Sequence, residues 1–129
     1  MRHASIGSVL AALFALSCAT GQSAARRADA NDQMRLTMTV WRDCMFAAAD
    51  TLAAGSGTAS EVASGAQGLC GREYAEFRRA TSDFFAVGVS ESYELEARTQ
   101  ADQRVDQIKS DMREVIIARV LKRRSKSTP

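Results

Sequence analysis

Apolar side chains recur at alternating spacings of four and three from Met34 through Met38, Trp41, Met45 and Ala48 to Leu52. That period predicts one amphipathic helix, capped by Asn31 or Asp32 and stopped by Gly55. Thr58-Ala-Ser-Glu61 then has the form of a capping box, in which a hydroxyl and a carboxylate satisfy the first free amides of a new helix. Val62, Ala66, Leu69, Tyr74, Phe77 and Thr81 form a second apolar stripe after it. Gly55-Ser-Gly57 lies between the two stripes and reads as an interhelical turn.

Folding the chain about Gly57 sets Leu52 beside Val62, Ala48 beside Ala66, Met45 beside Leu69, Trp41 beside Tyr74 and Met38 beside Phe77. Cys44 and Cys70 each lie thirteen residues from Gly57 and so reach the same height in this hairpin. One axis accounts for both stripes and for the cysteine spacing, and it predicts a Cys44–Cys70 disulfide. Glycine is the strained point. Gly65, Gly68 and Gly71 each cost about 1 kcal/mol against alanine inside a helix, and they either permit close helix approach or mark a break.

Gly88 followed by Ser90-Glu91 suggests a helix end and a new start, the alternative being one rod continuous through Gly88. Ala97, Ala101, Val105, Ile108, Met112, Val115 and Val120 carry a third stripe to about Lys122. Glu91, Glu94 and Glu96 near its start and Arg119, Lys122 and Arg123 near its end suit the helix macrodipole, and Glu94 with Arg98 adds a favourable i,i+4 pair. The expected fold is all-α: a disulfide-stapled antiparallel hairpin with a long third helix, as a small three-helix bundle or an extended helical domain over residues 32–122.

From Ser90 to Lys122 the third helix would run about 50 Å, whereas residues 32–54 span only about 35 Å. The hairpin would therefore leave part of it bare, and Met112, Val115, Ile116 and Val120 are the expected uncovered stripe. A second copy packed antiparallel, or another protein's helix, would bury that stripe with coiled-coil-like geometry. Phe84 and Phe85, with Val87 and Val89, form an unbroken apolar patch that reads first as core and next as a partner surface.

Composition supports helix throughout the 129 residues: alanine is abundant, aromatics make up 6 % and the single proline is Pro129. The formal net charge of +2 gives no overall field toward nucleic acid. The cations are instead gathered at one end. Arg119, Lys122, Arg123, Arg124 and Lys126 precede or enter a tail expected to be disordered over 123–129, and they are the candidate contact with an anionic membrane surface.

The first residues carry an address. Met1-Arg2-His3 is a short positive segment and residues 6–16 are apolar, too short to span a bilayer, which predicts a signal peptide over residues 1–21. Ala15-Leu16-Ser17-Cys18 resembles a bacterial lipobox, with Leu16 one place nearer the cysteine than usual; cleavage after Gly21 is the other route. Either way Cys18 is lipidated or removed, leaving Cys44 and Cys70 as a pair in an oxidising compartment. Residues 22–31 read as a flexible leader.

Chemistry is sparse. His3, the only histidine, falls in the segment expected to be removed, so the mature chain has no imidazole for a triad or a common zinc site. Phosphate-binding glycine fingerprints are missing, since Gly55-Ser-Gly57 lacks both the spacing and the lysine. Asp102 with Asp106 and Glu73 with Glu76 read as solvated faces. A redox role for Cys44 and Cys70 is disfavoured, because a reactive pair usually lies close in sequence or next to a pKa-lowering group, whereas these enclose 25 residues between two helices. No enzyme, cofactor or metal is expected. The expectation is an exported, periplasmic or lipid-tethered envelope protein with a structural, interaction or accessory role. The alternative is a module that binds lipid or a small apolar ligand between helices, lined by Trp41, Tyr74 or Phe77.

Overall fold

The computed structural model describes the backbone of residues 7–127 and the side chains of residues 21–126. Much of the expected signal peptide, with its candidate lipidation site Cys18, has no described side chains. Four helices follow one another, α1 (Gly7–Leu52), α2 (Ala59–Leu69), α3 (Gly71–Ala86) and α4 (Glu91–Ser127). They stack as three rods, α1, the α2–α3 pair and α4, successive rods antiparallel and each in contact with the others.

The first helix does not begin at Asn31 or Asp32. It runs unbroken through the stretch expected to be a flexible leader, because Gln22 to Ala30 contains no proline or glycine and is rich in alanine and arginine, both good helix formers. The cap at the other end of the turn is as expected: Thr58 Oγ1 accepts from the Glu61 amide at 3.2 Å, and the Thr58 amide donates to Glu61 Oε2 at 2.6 Å.

The expected second helix is two helices. Cys70 leaves helical geometry at φ −98° and ψ 24°, yet its amide still donates to the Ala66 carbonyl and its carbonyl accepts from the Tyr74 amide, both at 3.0 Å. The chain bends with little loss of hydrogen bonding. At this bend Cys70 is fully buried, while Leu69, expected against Met45, is 67 % exposed. The true inward stripe runs Ala59, Val62, Ala63, Ala66, Cys70, then Phe77, Ala80 and Thr81. Three alanines on α2 let it sit close to its neighbours, and Gly65 is the tightest point, since a Cβ there would come within 2.9 Å of Leu52 Cδ1.

Trp41 is the centre of the core. Its ring stacks on Phe77 at 5.6 Å and lies tilted against Tyr74 at 5.4 Å, so the expected Trp41–Tyr74 pair is present while Phe77 faces Trp41 rather than Met38. Burial of Trp41, Met45 and Phe77 together is worth several kcal/mol of apolar transfer. The two buried threonines satisfy themselves within α1 and α3, Thr37 donating to Gln33 and Met34 carbonyls and Thr81 to that of Phe77. The disulfide joins Cys44 and Cys70 with Cα atoms 5.9 Å apart, tying α1 to the bend.

A break separates α3 from α4. Gly88 takes φ +77°, the left-handed conformation that a helix C-terminus of this form needs, and the Val89 amide returns to the Ala86 carbonyl at 3.2 Å. The single-rod alternative is thereby excluded.

The expected uncovered stripe on this last helix is a correction. Ile116 is fully buried, Val120 is 1 % exposed and Met112 packs against the core; only Val115, at 49 %, faces outward. The reason is register. The chain turns back at Gly88, about as far along the bundle from Gly55 as α4 is long, so Ile116 and Val120 return to the level of α2 and the end of α1, and Arg124 meets the Gly55 carbonyl.

Candidate functional site

The end of the bundle at the interhelical turn is where charge concentrates. Helix α4 places Arg119 and Arg123 one turn apart, and both reach back to Asp50 near the end of α1. Arg119 binds that carboxylate in a two-pronged fashion, at 3.0 and 2.9 Å, while Arg123 approaches it to 2.6 Å. Hydrogen bonds from Arg119 hold the Asp50 carboxyl below its ordinary range, against a smaller opposing effect of burial, and the charges of Arg119 and Arg123 add to the lowering. The guanidinium of Arg119 also lies 5.0 Å above the Phe46 ring. Arg124 donates to the Gly55 carbonyl at 3.2 Å, closing α4 over the turn.

These contacts revise the picture of a disordered basic tail. The helix is formed to Ser127, and Arg119, Arg123 and Arg124 are tied to α1 or the turn. Lys122 and Lys126 differ. They are exposed, make no ion pair among the described residues, and share an open groove of about 540 Å³ with Val115, Ala118, Arg119 and Arg123. Of the sequence-stated contact residues, the structure thus gathers all five cations at one end. It separates them from Phe84 and Phe85, and it removes Ile116 and Val120 to the interior. Asp50 went unnoticed in the sequence; only a register placing α4 beside the turn reveals it.

Phe84 and Phe85 lie at the opposite end, half-buried and edge-to-face at 5.7 Å. With Val89, Tyr93 and Ala97 they line an open cleft of about 420 Å³, and the Arg27 guanidinium stands 5.6 Å from the Phe84 ring. Tyr93 and Leu95, 63 % and 80 % exposed, add to this apolar end. Acids surround it: Glu91 and Glu94 occupy the first turn of α4 and Glu96 the rim of the cleft. Helix α4 is therefore polar in charge along its length, acidic where it starts and basic where it ends.

Two further places were candidates for chemistry. The expected aromatic pocket is filled by its own rings, since Trp41 and Phe77 stack at 1 % exposure each. What is left is an open recess of about 310 Å³ beside Trp41, rimmed by Gln67, Gly68, Gly71, Tyr74 and Lys109, whose ammonium sits 4.7 Å over the Tyr74 ring. At the disulfide, the Glu73 carboxylate lies 3.9 Å from the Cys44 sulfur. Asp102 pairs with Arg78 at 2.9 Å and Asp106 accepts from Tyr74 at 3.3 Å, so the two carboxylates serve to dock α4 on α3. Among the described residues, no group of three or more His, Cys, Asp or Glu side chains is placed to hold a metal ion, and no helix is long and apolar enough to cross a membrane.

Comparison with protein-family models, with curated proteins and with solved structures finds no match.

Proposed function

We propose that this is an exported, non-catalytic helical protein of the cell envelope that works by surface contact, as a structural, interaction or accessory component. The observation that carries the reading is the Cys44–Cys70 bridge, with Cys70 fully buried in the core. A fold that builds a disulfide into its interior belongs where disulfides persist, and the apolar, signal-like first residues supply the route there. The contact reading is favoured over binding of a lipid or apolar ligand between helices, because the aromatic side chains that would line such a site are stacked on one another.

Fractionation of the native host tests the proposal. The protein is expected in the envelope fraction, with a mature chain beginning between Cys18 and Ala25. Recovery from the cytosol with Met1 intact would overturn it.

A further inference from the structure

We infer that the groove formed by Val115, Ala118, Arg119, Lys122 and Lys126 on the last three turns of α4 docks on the surface of an anionic phospholipid bilayer. From Val115 to Ser127 the helix carries five cations and no acid. Asp50 is the only carboxylate that reaches them among the described residues, and it engages Arg119 and Arg123, leaving Lys122 and Lys126 directed to solvent. Positions 115, 118, 119, 122 and 126 share one helical face, so both lysines and the exposed Val115 meet the same surface. A cationic face with an apolar residue on it suits the headgroup layer, where phosphates meet the lysines and the valine lies against glycerol and the upper acyl chain.

The acids of α4 do not cancel this attraction. Glu114, the nearest of them, is paired with Arg113 at 3.5 Å, and Glu94 lies about 42 Å along the helix from Lys122, several times the screening length of about 8 Å at physiological ionic strength. The cations set the pose: the bundle meets the bilayer with its turn end down and the cleft at Phe84 and Phe85 pointing away. The chain N-terminal to Arg27 leaves the bundle at that upper end.

The inference rests on the contact reading only for its biological setting, since the binding itself is a property of the folded chain. Co-sedimentation of the purified, oxidised full chain with vesicles tests it, using phosphatidylcholine alone or mixed with phosphatidylglycerol. Binding is expected to the mixed vesicles and not to the neutral ones, and to fall with added salt. Because each lysine near such a surface is worth about fivefold in affinity, K122Q/K126Q should bind roughly 25-fold more weakly. Its melting temperature should match the parent's, while E91Q/E94Q at the far end should bind as well as the parent. Equal binding by parent and K122Q/K126Q, equal binding to neutral vesicles, or capture of soluble polyphosphate without binding to mixed vesicles would each overturn the inference. Failure here leaves the export reading standing, and a cytosolic location would leave vesicle binding intact.

Discussion

Replacing Gly68 by alanine should stabilise the protein, although Gly68 sits on a helix that packs in the centre of the bundle. Near the end of α2 the residue has no neighbour within 4 Å of where a Cβ would stand, and it borders the open recess beside Trp41. The substitution therefore adds a methyl group without a clash. It also removes the entropy that glycine loses on entering a helix, worth about 0.5–1 kcal/mol. For a domain of this size that is a rise of about 2–5 °C in melting temperature. Gly65→Ala is the internal contrast. The same backbone gain is offset there by the 2.9 Å approach to Leu52 Cδ1, the end of a flexible side chain that must turn aside, so the net change should be close to zero. Gly88→Ala completes the set: at φ +77° an alanine pays about 1–2 kcal/mol for the left-handed conformation, and stability should fall. Urea titration followed by circular dichroism, with the slope unchanged across the series, measures all three. A destabilised Gly68→Ala together with a neutral Gly88→Ala would refute the placement of both residues.

Two other outcomes follow from the core and the cap. Ile116→Ala should lower stability by about 3 kcal/mol, as a cavity in a fully buried site does, with no change in sedimentation behaviour; unchanged stability accompanied by dissociation of an oligomer would restore the exposed-stripe view of α4. Thr58→Ala should cost about 1 kcal/mol by undoing the capping box. Hydrogen bonds from Thr58 lower the Glu61 pKa, as those from Arg119 lower that of Asp50. Their contributions are therefore complete above the ordinary carboxylate values and are lost as pH falls through the lowered ones. Because the larger lowering of Glu61 comes from the residue-58 backbone amide, which alanine keeps, the comparison is with Glu61→Gln: acid titration of stability should show the parent losing more than Glu61→Gln below about pH 4.5; parallel curves would contradict the coupling.

Much of the hairpin could be read from the chain because its determinants are local or symmetric. The capping box needs only four residues, the Gly88 break only a few more, and the cysteine pairing follows from equal distances to Gly57. The register beyond Cys70 was harder. Leu69 is more hydrophobic than Cys70, and transfer hydrophobicity favoured it for the stripe, yet the spacing Ala66, Cys70, Tyr74 keeps a regular interval of four that the disulfide requires. The length of α1 was missed for a different reason: alanine, arginine and glutamine serve equally in a leader and in a helix, and few contacts discriminate between them upstream of Ala30. The burial of Ile116 and Val120 depends on where α4 lies against the hairpin, which is set by the break at Gly88 rather than by the length of α1. The cations at the turn were visible as a cluster. Their division into three arginines tied to the bundle and two free-standing lysines needs Asp50 and Gly55 in three dimensions.

The pairing of Cys44 with Cys70 in protein taken from its own host joins the fold to the compartment more directly than any other observation. Closing a loop of 26 residues is worth about 3.5 kcal/mol in the chain-entropy model, a large part of a small domain's stability. Peptide mapping under non-reducing conditions, after trapping free thiols in the intact cells, is predicted to recover the Cys44 and Cys70 peptides linked to each other. Recovery of both cysteines as trapped free thiols in natively folded protein would contradict the account.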